Sequence, residues 1–351
     1  MFGKPNIENQ TSKTENRTSK YEHRNTKIEH RNTNIKIMKI TKEPFGQFTE
    51  YVLTNPETGE ALYILPEYGG MIRKMTLQKD GHLHHVIDVA NSPEQLLNTM
   101  SGYPSAHLFP WGNRVRDGKY SFQGADYQLS INEIGFNNAI HGFVSFANFE
   151  VVEEEVNEVD AILTLRHVYR GTQFGFPFPF TLDIQHIFSS DEGLEINYSI
   201  KNTGNQTMPM VLGWHPYFKI EGETADDWQI DFPATHQYKS DSQMISTDKV
   251  EVDFKGNMAL KGRTLDAVFA IEPSSKVEAK LHSLNKNMTI NVWQEGLKGG
   301  FTFMVVYIPS ARDCIAIEPM TGNTDAFNSE DGLLTLEAGK TFEIGCGVYI
   351  S

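Results

Sequence analysis

Read by its alternation of apolar and polar positions, the chain is a succession of short strands. Ala161 to Tyr169 runs AILTLRHVY, Thr181 to Phe188 runs TLDIQHIF, and Leu194 to Ile200 runs LEINYSI. A two-residue period of this kind turns one face of each segment toward a core and the other toward water. Phe301 to Ile308, FTFMVVYI, is more continuously apolar and reads as a strand covered on both faces. Turn signals punctuate these runs, as in Asp117-Gly118, Gln123-Gly124, Asn202-Thr203-Gly204 and Ala338-Gly339. Helical text is scarce, with Pro93 to Met100, PEQLLNTM, the best short candidate. Many short strands at this spacing predict an all-β fold, a single large antiparallel sandwich with few short helices, spanning residues 38–351 without an internal linker.

Residues 1–37 break the pattern. They are built from Asn, Thr, Lys, Glu, Arg and His, with eight Lys and Arg against four Glu, and contain the near-repeat EHRNTKI then EHRNTNI. The seven-residue period offers one apolar residue per repeat, at Tyr21, Ile28 and Ile35, whereas a coiled-coil seam needs two. The expectation here is a disordered polar tail.

Composition narrows the class. Hydrophobic residues make up 39% of the 351 and aromatics 11%, enough apolar surface to exclude wholesale disorder. A formal charge of −14 argues against a nucleic-acid partner, which calls for a basic surface. No apolar run approaches the ~20 residues that span a bilayer, and the N-terminus lacks the apolar stretch of a secretory signal. No membrane partner and a cytoplasmic location are therefore expected. Cys314 and Cys346 are too few for a disulfide framework and lack metal-ligand spacing. His82, His84 and His85 invite a metal reading, but no carboxylate or Cys at ligand spacing closes a site, and none is expected.

Three clusters set ionisable side chains among Gly, Pro and aromatics: Phe109 to Gly118, FPWGNRVRDG, with NAIHG at Asn138 to Gly142 about twenty residues later; Gly213 to Phe218, GWHPYF; and Ile317 to Asn328, IEPMTGNTDAFN. His215, between Trp214 and Pro216, is either a satisfied core histidine or a titratable acid held against a sugar face. Its ordinary pKa near neutrality suits the second role. Glu318, read as ending a strand over Cys314 to Ile317, is either a structural carboxylate of the following turn or a general base whose pKa burial has raised. Taken singly, His141 and Arg114 are ordinary loop residues and Asp266, in TLDAVF, a turn or cap residue.

Together and in this order, the clusters resemble the aldose 1-epimerase (galactose mutarotase-like) family. NRVRDGKYSFQGADYQLSINE, Asn113 to Glu133, is similar to the family's Asn-Arg segment and the hairpin after it. NNAIHG at Asn137 to Gly142 resembles its Leu-His-Gly step, MPMVLGWHPYF at Met208 to Phe218 its His-x-Tyr-Phe motif, and IEPMTGNTDAFN the motif bearing its catalytic glutamate. The similarity runs from about Thr49 to the C-terminus. It implies a β-supersandwich, no cofactor, a sugar substrate and a monomer. By position Glu318 resembles the base that deprotonates the anomeric hydroxyl and His215 the acid that protonates the ring oxygen. Arg114, His141, Asn113 and Asp266 resemble residues that hold the sugar.

The chain departs from the family where Phe143 follows His-Gly, as in the hexose-6-phosphate branch, and where Gly-Trp-His-Pro-Tyr-Phe replaces the Asn-His-Ser-Tyr-Phe of galactose-active members. Galactose specificity is not carried over. Competing expectations are a hexose-6-phosphate 1-epimerase, for which Arg116 and Arg73 are the further cations, and a non-catalytic carbohydrate-binding module. A third is a retaining glycosidase using Glu318 and Asp266, whose carboxyls would then stand ~5 Å apart.

Overall fold

The computed structural model describes residues 37–254 and 256–351. The tail expected over 1–37 lies, apart from Ile37, outside them. The expected strands are all present: Asp160–Tyr169, Phe180–Ser189 and Gly193–Asn202 run slightly past their apolar cores and pair in sequence as antiparallel neighbours, while the strand read over Phe301 to Ile308 is shorter, Phe303–Tyr307. They belong to a nine-stranded sheet that continues through Thr341–Ile350, Thr289–Gln294, Val277–Ser283, Trp228–Asp231 and Met258–Ala259, with Glu150–Val156 at its other edge. A second sheet of eight strands runs Ser246–Glu251, Ala234–Ser240, Asp266–Ile271, Phe303–Tyr307, Ile315–Met320, Gly213–His215 and Ala106–Leu108, and Tyr217–Phe218 also pairs with Ile315–Met320. The first five strands, from Lys39–Phe45 to His82–Asp88, form a separate antiparallel meander.

One continuous hydrophobic cluster joins the three sheets, from Leu53 and Ile64 through Leu163 and Phe188 to Trp214 and Phe269. The result is an all-β sandwich with two short helices among the described residues, Pro93–Thr99 and Ala326–Ser329. None of the described helices is long and apolar enough to cross a membrane.

The turn chemistry behaves as read. Gln123 and Gly124 have φ of 50° and 83°, the left-handed pair that a two-residue hairpin turn requires, and they join the paired strands Lys119–Phe122 and Ala125–Gln128. One strand differs from expectation. Ile315–Met320 does not stop at Glu318 but runs on through Pro319. Its neighbour on one side is sparse there, since Gly213–His215 meets it only at Gly213 opposite Met320, so a residue without an N–H interrupts little.

The sheets are tied by a buried polar contact. His107, on the strand Ala106–Leu108, shares a 2.8 Å hydrogen bond through Nδ1 with the hydroxyl of Tyr198 in the nine-stranded sheet. Its Nε2 lies 3.2 Å from the carbonyl of Gly70, just before the meander strand Met71–Lys79. Full burial drives its pKa down from the ordinary 6.5 to about 4. The folded chain therefore holds this imidazole neutral while the unfolded chain protonates it near pH 6.5. The stabilisation is complete above pH 6.5 and is lost as pH falls toward 4. His107 is expected to cost the fold on the order of 3 kcal/mol across that window. Urea denaturation at pH 7 and pH 4.5 should show a smaller loss in His107→Gln than in the wild type.

Gly142 carries a second constraint. Its φ is 68°, and an added Cβ would lie 2.0 Å from the carbonyl oxygen of Phe109. Gly142→Ala is expected to destabilise by more than about 2 kcal/mol, read as a shifted urea midpoint.

Candidate active site

Register alone collects the central side chains. Side chains alternate across a strand and align across neighbouring strands. Glu318 pairs with Val305, and Tyr307, two residues on from Val305, pairs with Asp266. Gly213 pairs with Met320, so His215 shares the face of Met320 and Glu318. Tyr217 pairs with Ala316, two residues before Glu318. Asp266, Tyr307, Glu318, His215 and Tyr217 thus stand on one face of the eight-stranded sheet. Met304, Val306 and Trp214 alternate to the other and are fully buried.

A second wall comes from the ribbon of Arg114–Arg116 paired with Asn138–Ile140. Asn113 and His141 flank it, both in the left-handed region at φ 58° and 63°, and the His141 amide donates to the Asn113 carbonyl at 3.0 Å. The bridge from Phe109 to Gly142 pins this corner. Between the walls lies a cleft of about 830 Å³, within the size range of small-molecule sites. Glu318, His215, Arg114, His141, Asp266 and Asn113 all line it.

At its floor His215 Nε2 lies 3.4 Å from Glu318 Oε1, with 6% and 2% of these residues exposed. Burial pushes the Glu318 carboxyl well above the ordinary carboxylate range; the negative charge of Asp266 adds to this and Arg114 pulls back. Burial draws the His215 imidazole down to about 4, and its ring stacks on Tyr217 with centroids 5.0 Å apart. His141 meets His215 edge-on at 5.3 Å and is held well below its usual pKa, first by burial and then by His215 and Arg114. Glu318 Oε2 and His141 Nδ1 are buried without a hydrogen-bond partner in the protein, acceptor and donor capacity left for a ligand.

Asp266 opens the strand Asp266–Ile271 and is solvent-exposed within the cleft. The surrounding walls still raise its pKa, with Arg114 opposing and Glu133 adding. Arg114 meets Glu133 side-on, Nη2 to Oε1 at 2.8 Å and Nε to Oε2 at 2.9 Å.

Several lining residues carry no assignment from sequence reasoning. Tyr217 stands inside the quoted WHPYF run, and Asn132 and Glu133 close the quoted hairpin segment, so the text held a signal for these. Tyr103, whose ring lies 4.8 Å from that of His141, and Asp88 and Lys219 sit in stretches with no motif. Phe143 packs against Tyr169 and Phe180 rather than lining the cleft. Arg73 is buried against Glu50 and Arg116 pairs with Asp241; neither reaches the cleft.

Comparison with known proteins accords with this architecture. The structure resembles a galactose mutarotase-like protein from Clostridium acetobutylicum, with a TM-score of 0.79 and 20% identity over 90% of this chain and 98% of that one. It resembles galactose 1-epimerase from Lactobacillus acidophilus with a TM-score of 0.72 and 18% identity, covering 91% and 99% of the two chains. In sequence it is 25% identical over 272 residues to the uncharacterized protein YihR of Escherichia coli, covering 74% of this chain and 82% of that protein. The model of the aldose 1-epimerase family matches residues 49–348, and the chain belongs to that family.

Proposed function

We propose that the protein is a mutarotase that interconverts the α and β anomers of an uncharged aldohexose, with Glu318 as base and His215 as acid. The observation that carries this reading is the buried contact between these two side chains on the floor of the cleft. Burying a carboxyl and an imidazole together costs stability that a binding module has no reason to spend, whereas proton transfer needs them there. Both cations of the lining, Arg114 and Lys219, are already paired with carboxylates, which favours an uncharged sugar over a phosphorylated one.

A pyranose with its anomeric edge over the pair would present O1–H to Glu318 and the ring oxygen to His215. Glu318 takes the O1 proton as the C1=O bond forms and the C1–O5 bond breaks, and O5 receives the proton of His215. Rotation about C1–C2 followed by the reverse transfers closes the ring on the other face. Arg114 and His141 orient sugar oxygens, with Asn113 Oδ1 accepting a 2.9 Å bond from the Arg114 backbone N–H. Asp266 accepts sugar hydroxyls. Positioned acid and base groups supply ~10²–10⁴-fold, enough for a reaction that water alone performs slowly.

Between the titration of His215 and that of Glu318 the pair holds one proton. Burial favours the arrangement with a neutral carboxyl and a neutral imidazole; moving that proton from Glu318 to His215 gives the base and acid the chemistry uses, without exchange with solvent. A second proton enters near pH 4, and the single proton leaves only at the raised pKa of Glu318.

Polarimetry of freshly dissolved α-glucose and α-galactose tests the reading. The wild type is expected to accelerate the approach to equilibrium, and Glu318→Gln to lose ~10²–10⁴-fold. Failure of the wild type to accelerate either sugar would overturn it. The same assay across pH should give kcat/KM with an acid limb near pH 4, absent in any residual activity of His215→Gln, and an alkaline limb well above the ordinary carboxylate range.

A further inference from the structure

Among the cleft-lining residues the cations are Arg114 and Lys219, and each faces a carboxylate that also lines the cleft. Glu133 takes the Nε and Nη2 edge of Arg114, the edge that would otherwise grip a phosphate or carboxylate through two parallel bonds. Asp88 Oδ2 accepts from Lys219 Nζ at 2.6 Å. These are not surface pairs free to swing apart. The Arg114 and Glu133 side chains are 13% and 17% exposed, and Lys219 and Asp88 31% and 13%. Glu133 has a second tether, since the Asn138 amide donates to its Oε2 at 2.9 Å and also to the Gln243 carbonyl at 2.8 Å. Asp266, Asp313 and Glu318 add carboxyl groups to the same lining, with no further Lys or Arg beside them.

We infer that Glu133 and Asp88 are specificity residues that neutralise the two cations of the cleft and so bar sugars carrying an anionic group. The inference rests on the mutarotase reading and names which part of its substrate class the site rejects. An anionic substituent entering the cleft has no unpaired cation to meet. It must displace one carboxylate from its pair or lie close to the acidic groups of the lining, and like charges in a partly desolvated site repel strongly. A glutamine at position 133 keeps one acceptor oxygen for Arg114; only a carboxylate accepts on both oxygens and cancels its charge. Glu133 acts through Arg114 and is a positioning residue, not a catalytic one.

The test uses the full chain as wild type, Glu133→Gln and Asp88→Asn, with glucose and glucuronate, which share a ring and differ by a C6 carboxylate. The quantity read is the ratio of kcat/KM for glucuronate to that for glucose, measured by polarimetry. The wild type is expected to favour glucose by about tenfold or more, and each variant to move the ratio toward glucuronate by about tenfold. Added salt should shrink that gain, because it screens the unmasked cation. A purely structural role would lower both sugars together and leave the ratio and its salt dependence unmoved. An unchanged ratio in both variants, or a wild type that uses glucuronate as readily as glucose, would overturn the inference. Should the wild type accelerate neither sugar, the mutarotase reading fails by itself. The charge selectivity is then read from calorimetric affinities of the same two sugars for the same three proteins, with the same shift expected. Asp88→Asn alters a separate ion pair, so the test survives if Glu133→Gln does not fold.

Discussion

Side chains on a β-strand point alternately to opposite faces, and this two-residue period governs the site more than any single contact. A slip of one residue in the pairing of Phe303–Tyr307 with Ile315–Met320 would send Glu318 into the core and bring Ile317 to the cleft. The register is protected from below. Met304, Val306, Ile315 and Ile317 fill the core side of these two strands without measurable exposure, so any slip would bring apolar side chains out and carry a carboxyl in. The same packing that stabilises the sandwich therefore fixes the order in which acidic, aromatic and imidazole groups appear on its other face.

On that scaffold the site accumulates groups whose burial is costly. Glu318, His215 and His141 are each nearly inaccessible, and each has its pKa displaced toward the neutral form by the loss of water around it. Arg114 is the counterweight. Its charge partly offsets the rise at Glu318 and reinforces the fall at both histidines, while Glu133 limits how far that charge reaches. Stability and chemistry meet in this corner, where the left-handed backbone at Asn113 and His141 and the close approach at Gly142 leave little freedom to substitute.

Much of this was legible from alternation and turn chemistry. The strands around Ala161, Thr181 and Leu194 announce themselves by period, and Gln123-Gly124 by its turn type. Arg114, His141 and Asp266 read singly as loop, turn or cap residues, and Glu318 and His215 are open between structural and catalytic roles; with Asn113 they stand out as a set, linked by the order of their motifs. What stayed hidden depends on long-range pairing. Pro319 reads as a strand end until the sparse pairing beside it is known. Asp266 looks like a cap until its register with Tyr307 turns it into the cleft. Asp88 and Lys219 meet across 131 positions of sequence, with no local pattern to mark either.

The depth of Glu318 and His215 has a further consequence on the proposed reading. Opening the ring carries a proton from sugar to Glu318 and from His215 to sugar, and closing it returns both. The circuit is complete within one visit of the substrate, so neither group has to trade protons with bulk water between turnovers. A site with this closed inventory can dispense with a proton wire to the surface, and its floor can be as dry as the core beneath it.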